Sequence, residues 1–296
     1  MTSDAQIAKV LVAGASGHLG KEVVREFKER GYWIRALARN PGKLVAVKHL
    51  IDDIFLADVT LPGTLEGACE GIDIVFSCVG QSVSISRIPN KDSYRDVDYQ
   101  GNKNLLGEAA QSKAQKFIYV AVFGVEWFAH LEYFRAHEDF VKELRRSGLE
   151  HTVVRPTAFF SVYYELLKMI EKSGSAYVVG DGQSRINPIH EADLAVLCAD
   201  IVTRHQSELA AGGPKTYTRN ELAELAFSTL AKEPKITTIP PWIFNTLVKA
   251  IGLFDTRLAN LAQFGADAMQ IDCVAPAVGS RSLGRYLAEK NRRSLI

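Results

Sequence analysis

The sequence predicts an α/β fold built on a doubly wound parallel sheet, and three observations support this prediction. Short apolar runs alternate with amphipathic segments through the first half of the chain, and a turn with three glycines follows the first run. This alternation ends after Pro156. Strands and helices that alternate in this way form right-handed βαβ units. Residues 1–156 are therefore predicted to form the doubly wound domain, and residues 157–296 a smaller α+β cap with some segments that return to the sheet.

The spacing of apolar residues separates strands from helices in the first domain. The first helix ends near Gly31, a natural C-terminal stop, and Pro62 opens the short helix after the third strand. The predicted strands are residues 10–12, 32–38, 54–57, 74–79, 117–122 and 152–155. After the first helix, the predicted helices are a segment through Leu44 and Val47 and residues 64–70, 94–112 and 131–147.

The cap is predicted from more local signals. Residues 159–172 and 191–202 have helical patterns, residues 176–179 resemble a strand, and residues 187–190 are predicted to be extended. Thr218 and Glu221 have the spacing of a capping box, which predicts that a helix begins there. His190 is expected to brace the cap. Four aromatic residues after Pro156 can pack in the core or line a substrate site, namely Phe159, Phe160, Tyr163 and Tyr164.

Composition excludes several classes of protein. Of the 296 residues, 47% are apolar, and the net charge of +1 argues against nucleic acid or an anionic membrane as the main partner. The four cysteines match no metal or redox spacing, so no metal is predicted and a reducing compartment is favoured. Residues 1–8 are too short and polar for a signal peptide, and residues 242–254 are too few to span a bilayer. We therefore predict a cytoplasmic protein.

Glycines at positions 14, 17 and 20 occupy the first strand–helix junction in the spacing G-x-x-G-x-x-G. Glycine permits the dihedral angles of a tight turn, and the start of the next helix offers unpaired N–H groups to an anion. This arrangement predicts the pyrophosphate site of a dinucleotide, with a plain tight turn as the alternative. The residues predicted to line this site are Gly14, Ser16, Gly17, His18, Leu19 and Gly20, with His18 exposed and not catalytic.

The end of the second predicted strand indicates which dinucleotide is bound. Proteins that select NAD usually carry a carboxylate there for the ribose hydroxyl, whereas a cation suits the 2′-phosphate of NADP. This chain has Arg39 followed by Asn40, and no carboxylate. Arg39 can hold the phosphate with two hydrogen bonds, and Asn40 can add an amide donor. NADP or NADPH is therefore predicted in preference to NAD, and a solvated arginine in a turn is the alternative.

Two further strand ends complete the predicted cofactor site. Asp58 can accept a hydrogen bond from the adenine amino group beside the apolar Val59, although it can instead cap the next turn. The fourth strand ends beside the point where the strand order reverses, which is where such sheets bind their ligands. The backbone of Cys78, Val79 and Gly80 is predicted to pass the ribose there.

Several motifs together resemble the atypical short-chain dehydrogenase/reductases, specifically the NmrA-like NAD(P)-binding group. They are Gly14-Ala-Ser-Gly-His-Leu-Gly20, Ala38-Arg-Asn-Pro41, Asp98-Tyr-Gln-Gly-Asn102, Ser147-Gly-Leu149, Val154-Arg-Pro-Thr157, Asn187-Pro-Ile189 and Asp193-Leu-Ala195. Each motif alone is a modest indication of this family, but the order and spacing of the whole set over most of the chain are specific for it. The resemblance implies an NADP-binding Rossmann domain, a turn at Arg155 and Pro156 near the nicotinamide, and a variable C-terminal substrate region.

The catalytic residues depart from the pattern of that superfamily, whose reductases use Ser, Tyr and Lys. Ala121 stands at the serine position, and Tyr133 is followed four residues later by His137 in place of the lysine. Residues four apart share a helix face, so both side chains are predicted to point toward the nicotinamide. His137 can hold a ribose hydroxyl or relay a proton, or it can be a core histidine bonded to a carbonyl. Glu138, on the other side, is expected to be solvated.

Two functions follow from this pattern. The first is an NADPH-dependent reductase of a small apolar molecule, in which Tyr133 or His137 supplies the proton. The second is a protein that binds NADP(H) without turnover as a redox sensor, regulator or assembly factor, with another protein as its partner. Ala121 and His137 favour the second function. The aromatic residues after Pro156 and the cap favour the first. The oxidoreductase is the preferred prediction, because hydride transfer to an activated alkene can proceed without the serine.

Overall fold

The computed structural model describes residues 7–81 and 93–294. Within them a seven-stranded parallel sheet has the order β3-β2-β1-β4-β5-β6-β9. Its strands are β1 (Lys9–Ala13), β2 (Trp33–Ala38), β3 (Asp53–Leu56), β4 (Ile74–Ser77), β5 (Lys116–Val120), β6 (Glu150–Pro156) and β9 (Glu208–Ala211). The order reverses between β1 and β4, as in doubly wound folds. The predicted fold class is confirmed.

Ten helices lie in the described residues. They are α1 (His18–Glu29), α2 (Asn102–Gln111), α3 (Val125–Phe128), α4 (Glu132–Arg146), α5 (Phe160–Ser173), α6 (Glu191–Asp200), α7 (Arg219–Thr229), α8 (Pro241–Gly252), α9 (Thr256–Ala268) and α10 (Leu283–Ser294). Two small sheets accompany the later helices: β7 (Ala176–Val179) pairs with β11 (Ile236–Ile239), and β8 (Arg185–Ile186) pairs with β10 (Tyr217–Thr218). None of the described helices is long and apolar enough to cross a membrane.

Helices cover both faces of the large sheet, which explains why its central strands are continuous apolar runs. On one face α1 buries Val23 and Phe27, and α6 adds Leu194 and Cys198 to the same core. On the other face α2 and α4 form a second core with the sheet. A third core joins α5, α7 and α10 in the C-terminal part. The site described below lies where the three cores meet the carboxyl ends of the strands.

The seventh strand comes from the second half of the sequence. β9 pairs with β6, with Arg155 opposite Ala210 and Pro156 opposite Ala211. Helix α6 packs against α1 and precedes this strand. A segment after Pro156 therefore contributes a strand to the sheet. The division at residue 156 itself stays a prediction.

The structure corrects three predicted helices. The segment through Leu44 and Val47 forms two 3₁₀ turns, Pro41–Leu44 and Lys48–Leu50, and the side chain of Asn40 accepts from the N–H of Gly42 at the first. The predicted helix at residues 64–70 is a 3₁₀ turn, Pro62–Thr64, followed by tight turns in which Gly67 has a φ of +79°. A residue in that conformation breaks a right-handed helix. The helix at 94–112 begins as a π-helix, Arg95–Gly101, before α2.

Candidate active site

The glycine turn is shaped by close backbone contacts. Gly14 has a φ of +89°, and a Cβ there would lie 2.9 Å from the sulfur of Cys78. A Cβ at Gly20 would lie 2.1 Å from the carbonyl oxygen of Gly14. Helix α1 begins after Gly17 with no side-chain cap, so its first N–H groups are not bonded by a neighbouring side chain. These groups and the helix dipole form a site that suits a pyrophosphate.

The other residues of this turn have different exposures. His18 is exposed, as predicted, and Ser16 is half-buried. The side chain of Leu19 is 7% exposed and packs in the first core. Only the backbone of Leu19 is therefore available to a cofactor. The predicted pyrophosphate site therefore consists mainly of main-chain atoms, beside the side chains of Ser16 and His18.

At the end of β2, Arg39 and Asp58 face each other. The guanidinium Nη1 of Arg39 lies 3.4 Å from Oδ2 of Asp58, and the Arg39 side chain is 56% exposed. Asp58 also accepts hydrogen bonds through Oδ1 from the N–H and the hydroxyl of Thr60, so it caps a turn. Partial burial acts to raise the pKa of Asp58, but Thr60 and the charge of Arg39 hold it below its usual value.

The neighbouring predicted residues are partly engaged by the protein itself. Asn40 accepts from Gly42 and keeps its amide N–H₂ as a donor. Val59 is buried, and a Cβ at Gly101 would lie 2.7 Å from it. Val59 therefore packs against the π-helix, and it can also form the apolar wall that is predicted beside the adenine. The arrangement leaves Arg39 as the exposed cation beside the space predicted for the ribose phosphate.

At the end of β4, Gly80 lies against a buried carboxylate. A Cβ at Gly80 would lie 2.8 Å from Oδ1 of Asp98, which is fully buried. Asp98 accepts the N–H of Gln81, at 3.1 Å from Oδ2. The carboxylate of Asp98 therefore requires a glycine at position 80. This requirement is separate from the predicted passage of the ribose, which also favours a small residue there. Burial raises the pKa of the neighbouring Cys78 thiol to about 12.

Asn102 fixes the same strand end from the next turn of helix. Its amide donates to the carbonyl of Val79 at 3.2 Å and to the carbonyl of Asp98 at 2.9 Å. The hydroxyl of Ser77 donates to the amide oxygen of Asn102 at 2.5 Å. The motif that carries Asp98 and Asn102 therefore supplies several of the hydrogen bonds that fix this strand end.

A buried chain of three polar side chains lies below the predicted catalytic position. The hydroxyl of Tyr119 lies 2.6 Å from Nδ1 of His137, and both residues are buried. Burial, followed by the carboxylate of Asp98, raises the pKa of Tyr119, so the phenol keeps its proton. Because Nε2 of His137 faces the carboxylate of Asp98, Nδ1 accepts from the phenol and the ring hydrogen is assigned to Nε2.

That nitrogen faces a carboxylate without bonding to it. Nε2 of His137 lies 3.1 Å from Oδ1 of Asp98, but the approach is too bent for a hydrogen bond, and Nε2 has no other partner among the described residues. His137 is therefore buried in the core, and the predicted role of holding a ribose hydroxyl or relaying a proton stays a prediction. The expectation that a backbone carbonyl binds His137 is wrong, because the hydroxyl of Tyr119 is the hydrogen-bond partner of its Nδ1.

Tyr133 lies in the first turn of α4, directly above His137. Their rings meet edge to face with centroids 4.8 Å apart, and the ring of Tyr94 is 5.2 Å away. Burial, then the carboxylate of Asp98 and Tyr94, raise the pKa of the Tyr133 hydroxyl. A cavity of about 10 Å³ remains between α4 and α9, and its lining includes Leu131, Tyr133, Leu261 and Phe264. Tyr133 is thus half-buried among mainly apolar and aromatic side chains, with Glu132 and Asn260 also at the cavity.

Arg155 is occupied by protein carboxylates. Its guanidinium pairs with Glu138 of α4 at 2.9 Å and with Glu208 of β9 at 2.5 Å, and it donates to the carbonyl of Val122 at 3.1 Å. The prediction that Glu138 is solvated is therefore wrong. The predicted turn at Arg155 and Pro156 is also wrong, because these residues end β6. Their contact with a nicotinamide stays a prediction.

The aromatic residues after Pro156 mainly build the core. Phe160 and Tyr163 are buried in the third core, while Phe159 and Tyr164 are half-buried. His190 caps α6 by accepting the N–H of Ala192 at 3.0 Å and lies between the rings of Phe160 and Tyr286. The expectation that His190 braces the cap is confirmed.

Sequence reasoning missed two residues of the site, Tyr119 and Asp98. A tyrosine in the middle of an otherwise apolar buried strand is a signal that its hydroxyl needs a partner. Asp98 belongs to the motif that ends at Asn102, and residues four apart on a helix share a face. These two signals mark both residues as buried polar groups that need partners, but they do not identify His137 as the partner. The structure brings Tyr133, His137 and Asp98 together, whereas Arg39 and Asp58 form a separate pair at the ends of β2 and β3.

The strand order and the uncapped glycine turn define a dinucleotide-binding fold. The chain matches the NAD(P)H-binding protein family over residues 14–205. It is 31% identical over 312 residues to the chloroplastic divinyl chlorophyllide a 8-vinyl-reductase of Arabidopsis thaliana, covering 95% of this chain and 72% of that protein. The protein belongs to the NAD(P)H-binding family of atypical short-chain dehydrogenase/reductases.

Two further similarities are more distant. The chain is 22% identical over 249 residues to the photosystem II assembly factor Ycf39 of Trieres chinensis, covering 83% of this chain and 76% of that protein. The structure resembles the crystal structure of an NADPH-dependent quinone oxidoreductase complexed with NADPH from Escherichia coli, with a TM-score of 0.73 and 18% identity. That likeness covers 97% of this chain and 100% of the other, and it shows the fold.

Proposed function

We propose that the protein is an NADP(H)-dependent oxidoreductase that reduces an activated double bond of a small apolar molecule, with Tyr133 as the proton donor. The observation that carries this proposal is the position of the half-buried Tyr133, whose ring packs on His137 and whose hydroxyl pKa is raised by burial and by the carboxylate of Asp98. Such a phenol donates to a developing anion but is a poor base at neutral pH. It therefore suits reduction better than the oxidation of an alcohol.

The residues of the site have distinct tasks in this reaction. NADPH, when bound, supplies the hydride. The uncapped N–H groups of α1 hold the pyrophosphate, and the backbone at Gly80 lies beside the ribose. One carbon of the substrate double bond accepts the hydride, and the adjacent atom accepts the proton of the Tyr133 hydroxyl, which is restored from solvent. The aromatic side chains that pack around Tyr133 hold its ring in place beside the reacting atoms.

Tyr133 is better supported as the donor than His137. Nδ1 of His137 already accepts from Tyr119, and its Nε2 faces Asp98. The imidazole therefore supports the ring of Tyr133 from below. This assignment also accounts for Ala121, because a donor that stays protonated needs neither the serine nor the lysine that lower the pKa of the tyrosine in the superfamily pattern.

NADP is proposed over NAD because of Arg39. Its side chain is half-exposed at the end of β2, and its contact with Asp58 is 3.4 Å long. An exposed guanidinium with one long contact can turn toward a 2′-phosphate, because it gives up only a weak interaction with Asp58. No carboxylate directly follows β2 to hold a ribose 2′-hydroxyl, since Arg39 and Asn40 stand there.

The second candidate is a protein that binds NADP(H) as a sensor, regulator or assembly factor. The specific observation in its favour is the cavity above Tyr133, whose volume of about 10 Å³ leaves no room for a substrate unless α9 moves. One relative carries the name of a photosystem II assembly factor. Its partner would be a protein, whereas the reductase has a small-molecule substrate. A cytoplasmic location stays a prediction under either candidate.

Two measurements separate these candidates. NADPH binding to the full chain is first measured by nicotinamide fluorescence. NADPH oxidation is then followed with a quinone, an α,β-unsaturated ketone and a vinyl-substituted tetrapyrrole as acceptors. We expect oxidation with at least one acceptor, reduced about a hundredfold by Tyr133→Phe and unchanged by the matched variant of the exposed Tyr177, Tyr177→Phe. Oxidation that Tyr133→Phe leaves unchanged would overturn the donor assignment. Binding without oxidation of NADPH by any acceptor would favour the sensor.

A further inference from the structure

Helix α8 and the turn after it present an unusual apolar surface, formed by Trp242, Ile243, Leu247, Leu253 and Phe254. Leu253 and Phe254 are 82% and 93% exposed, and Trp242 is 71% exposed. On the opposite side of the helix, Val248 is buried. A helix that is apolar on all sides normally lies in a core, so the exposed side of α8 requires a cover.

These side chains form one continuous strip. Ile243, Leu247 and Phe254 are spaced by four and seven residues, and Trp242 and Leu253 lie on the adjacent row of the same helix surface. Ala250 and Thr246, which complete the strip, are small and exposed. The strip therefore runs along α8 from Trp242 to Phe254, and none of the side chains that form it is charged.

Charge is nearly absent from this part of the chain. Between residues 236 and 254 the sequence contains one charged residue, Lys249, and it is exposed. A lysine beside apolar and aromatic side chains, with no neighbouring carboxylate in the sequence until Asp255, is complementary to an anionic surface. This local pattern contrasts with the near-zero net charge of +1 from which no anionic membrane partner was predicted.

The shape of the surface favours lipid over a protein as its cover. Leu253 and Phe254 project from the turn at the end of the helix, where more than four-fifths of each side chain contacts solvent. A flat protein surface covers one side of such a projection, whereas the acyl region of a bilayer surrounds it. A helix of 12 residues is about 18 Å long, too short to span a bilayer, so it lies in the interface.

We infer that α8 and Phe254 bind the protein to the surface of a lipid bilayer that contains anionic phospholipid. Trp242, Leu253 and Phe254 enter the boundary between headgroups and acyl chains, and Lys249 contacts the headgroups. The next helix, α9, contributes Leu261 and Phe264 to the wall above Tyr133. Binding therefore holds the candidate active site close to the apolar phase. This inference does not depend on the proposed reaction.

Co-flotation of the full chain with vesicles tests this inference. The vesicles contain either phosphatidylcholine alone or phosphatidylcholine with a third of phosphatidylglycerol. We expect flotation with the anionic vesicles, weakened roughly tenfold or more by the double variant Leu253→Ser with Phe254→Ser, because exposed apolar side chains then no longer enter the lipid. Lys249→Glu should weaken binding to the anionic vesicles more than to the neutral ones. The matched control is Val45→Ser, at an apolar residue that is 75% exposed near β2.

A second measurement uses the unaltered protein and so does not depend on the folding of a variant. Brominated acyl chains should quench tryptophan fluorescence, and Trp242→Phe should remove most of this quenching. No flotation together with no quenching overturns the inference. Flotation that the double variant leaves unchanged also overturns it. Sedimentation that shows a dimer dissolved by the double variant, without flotation, assigns the surface to a second copy of this chain instead.

Discussion

The Tyr119 hydroxyl lies 2.6 Å from Nδ1 of His137, so a strand residue binds the histidine that replaces the lysine of the superfamily pattern. Both side chains are buried, and Nε2 of the same ring faces the carboxylate of Asp98 at 3.1 Å. Because Tyr133 packs edge to face on this imidazole, the position of the proposed proton donor depends on a contact in the core. A change in the contact between Tyr119 and His137 is therefore expected to alter the position of Tyr133 as well.

Removal of the Tyr119 hydroxyl should destabilise the protein. In Tyr119→Phe, Nδ1 of His137 loses its donor and is left buried without a hydrogen bond, which costs about 1–3 kcal/mol of the free energy of unfolding. Urea unfolding followed by circular dichroism measures this loss. Tyr177→Phe, at an exposed tyrosine, is the control and should change the free energy of unfolding very little. Equal stability of the two variants would show that the buried hydrogen bond contributes nothing.

A methyl group at Gly80 should disturb the cofactor site. The added Cβ would lie 2.8 Å from Oδ1 of Asp98, so the carboxylate or the strand end must shift. We expect Gly80→Ala to cost about 1–3 kcal/mol in stability and to weaken NADPH binding. Gly63→Ala is the control, because a Cβ there meets no atom within 4 Å. Calorimetric titration with NADPH measures the affinity, and the prediction fails if the two variants bind equally well.

Arg39→Ala should discriminate between the two cofactors. Loss of a charge-assisted contact with the 2′-phosphate should weaken NADPH binding by about 1.5–3 kcal/mol and leave NADH binding unchanged. Nicotinamide fluorescence measures both affinities. Lys43→Ala removes another exposed cation from the turn after β2 and serves as the control. If wild-type protein binds NADPH and NADH equally, and Arg39→Ala alters neither affinity, the phosphate assignment is refuted.

The pairs of Glu208 should make stability sensitive to acid. Partial burial acts to raise the pKa of Glu208, but its hydrogen bonds and ion pairs with Arg155 and Arg145 hold that pKa below the usual 4.5. A depressed pKa contributes stability above the value in the unfolded chain, and this contribution is lost as the pH falls through the value in the folded protein. The free energy of unfolding should therefore decrease below about pH 4.5.

Glu208→Gln tests the origin of that decrease. The variant should be less stable than the wild type at neutral pH, and the difference should shrink as the pH falls below the usual range of glutamate. Urea midpoints measured from neutral to acid pH give both curves. Glu66→Gln, at an exposed position outside these pairs, should follow the wild type. A constant difference between Glu208→Gln and the wild type across this range would exclude the ion pairs as the cause.

Much of the fold follows from local sequence. Apolar runs place the first six strands of the sheet, and the three glycines place the first turn, because both signals act within a few residues. The capping box at Thr218 and Glu221 is present as predicted. The helix predicted around residues 64–70 was wrong because Gly67 adopts a positive φ, and a glycine does not reveal its conformation in the sequence.

The site was less predictable because its contacts join distant segments. Arg155 meets Glu208 only after β9 returns to the sheet, so the sequence offered no reason to pair them. His137 meets Tyr119 because β5 and α4 pack in one particular register, although the four-residue spacing correctly placed Tyr133 and His137 on one face of α4. Sequence spacing identifies faces of helices and ends of strands. It does not identify the partner that each buried polar group finds.

The Tyr119–His137 contact also limits how this chain can change during evolution. A lysine at position 137 would deprive the Tyr119 hydroxyl of its acceptor and would place an ammonium group in the space that an imidazole now fills. Recovery of a serine at position 121 would add a hydroxyl to a buried site beside the backbone of β6. Each single step toward the Ser-Tyr-Lys arrangement thus passes through a less stable protein. A change to that arrangement therefore requires substitutions at positions 121 and 137 together with a new partner for the Tyr119 hydroxyl.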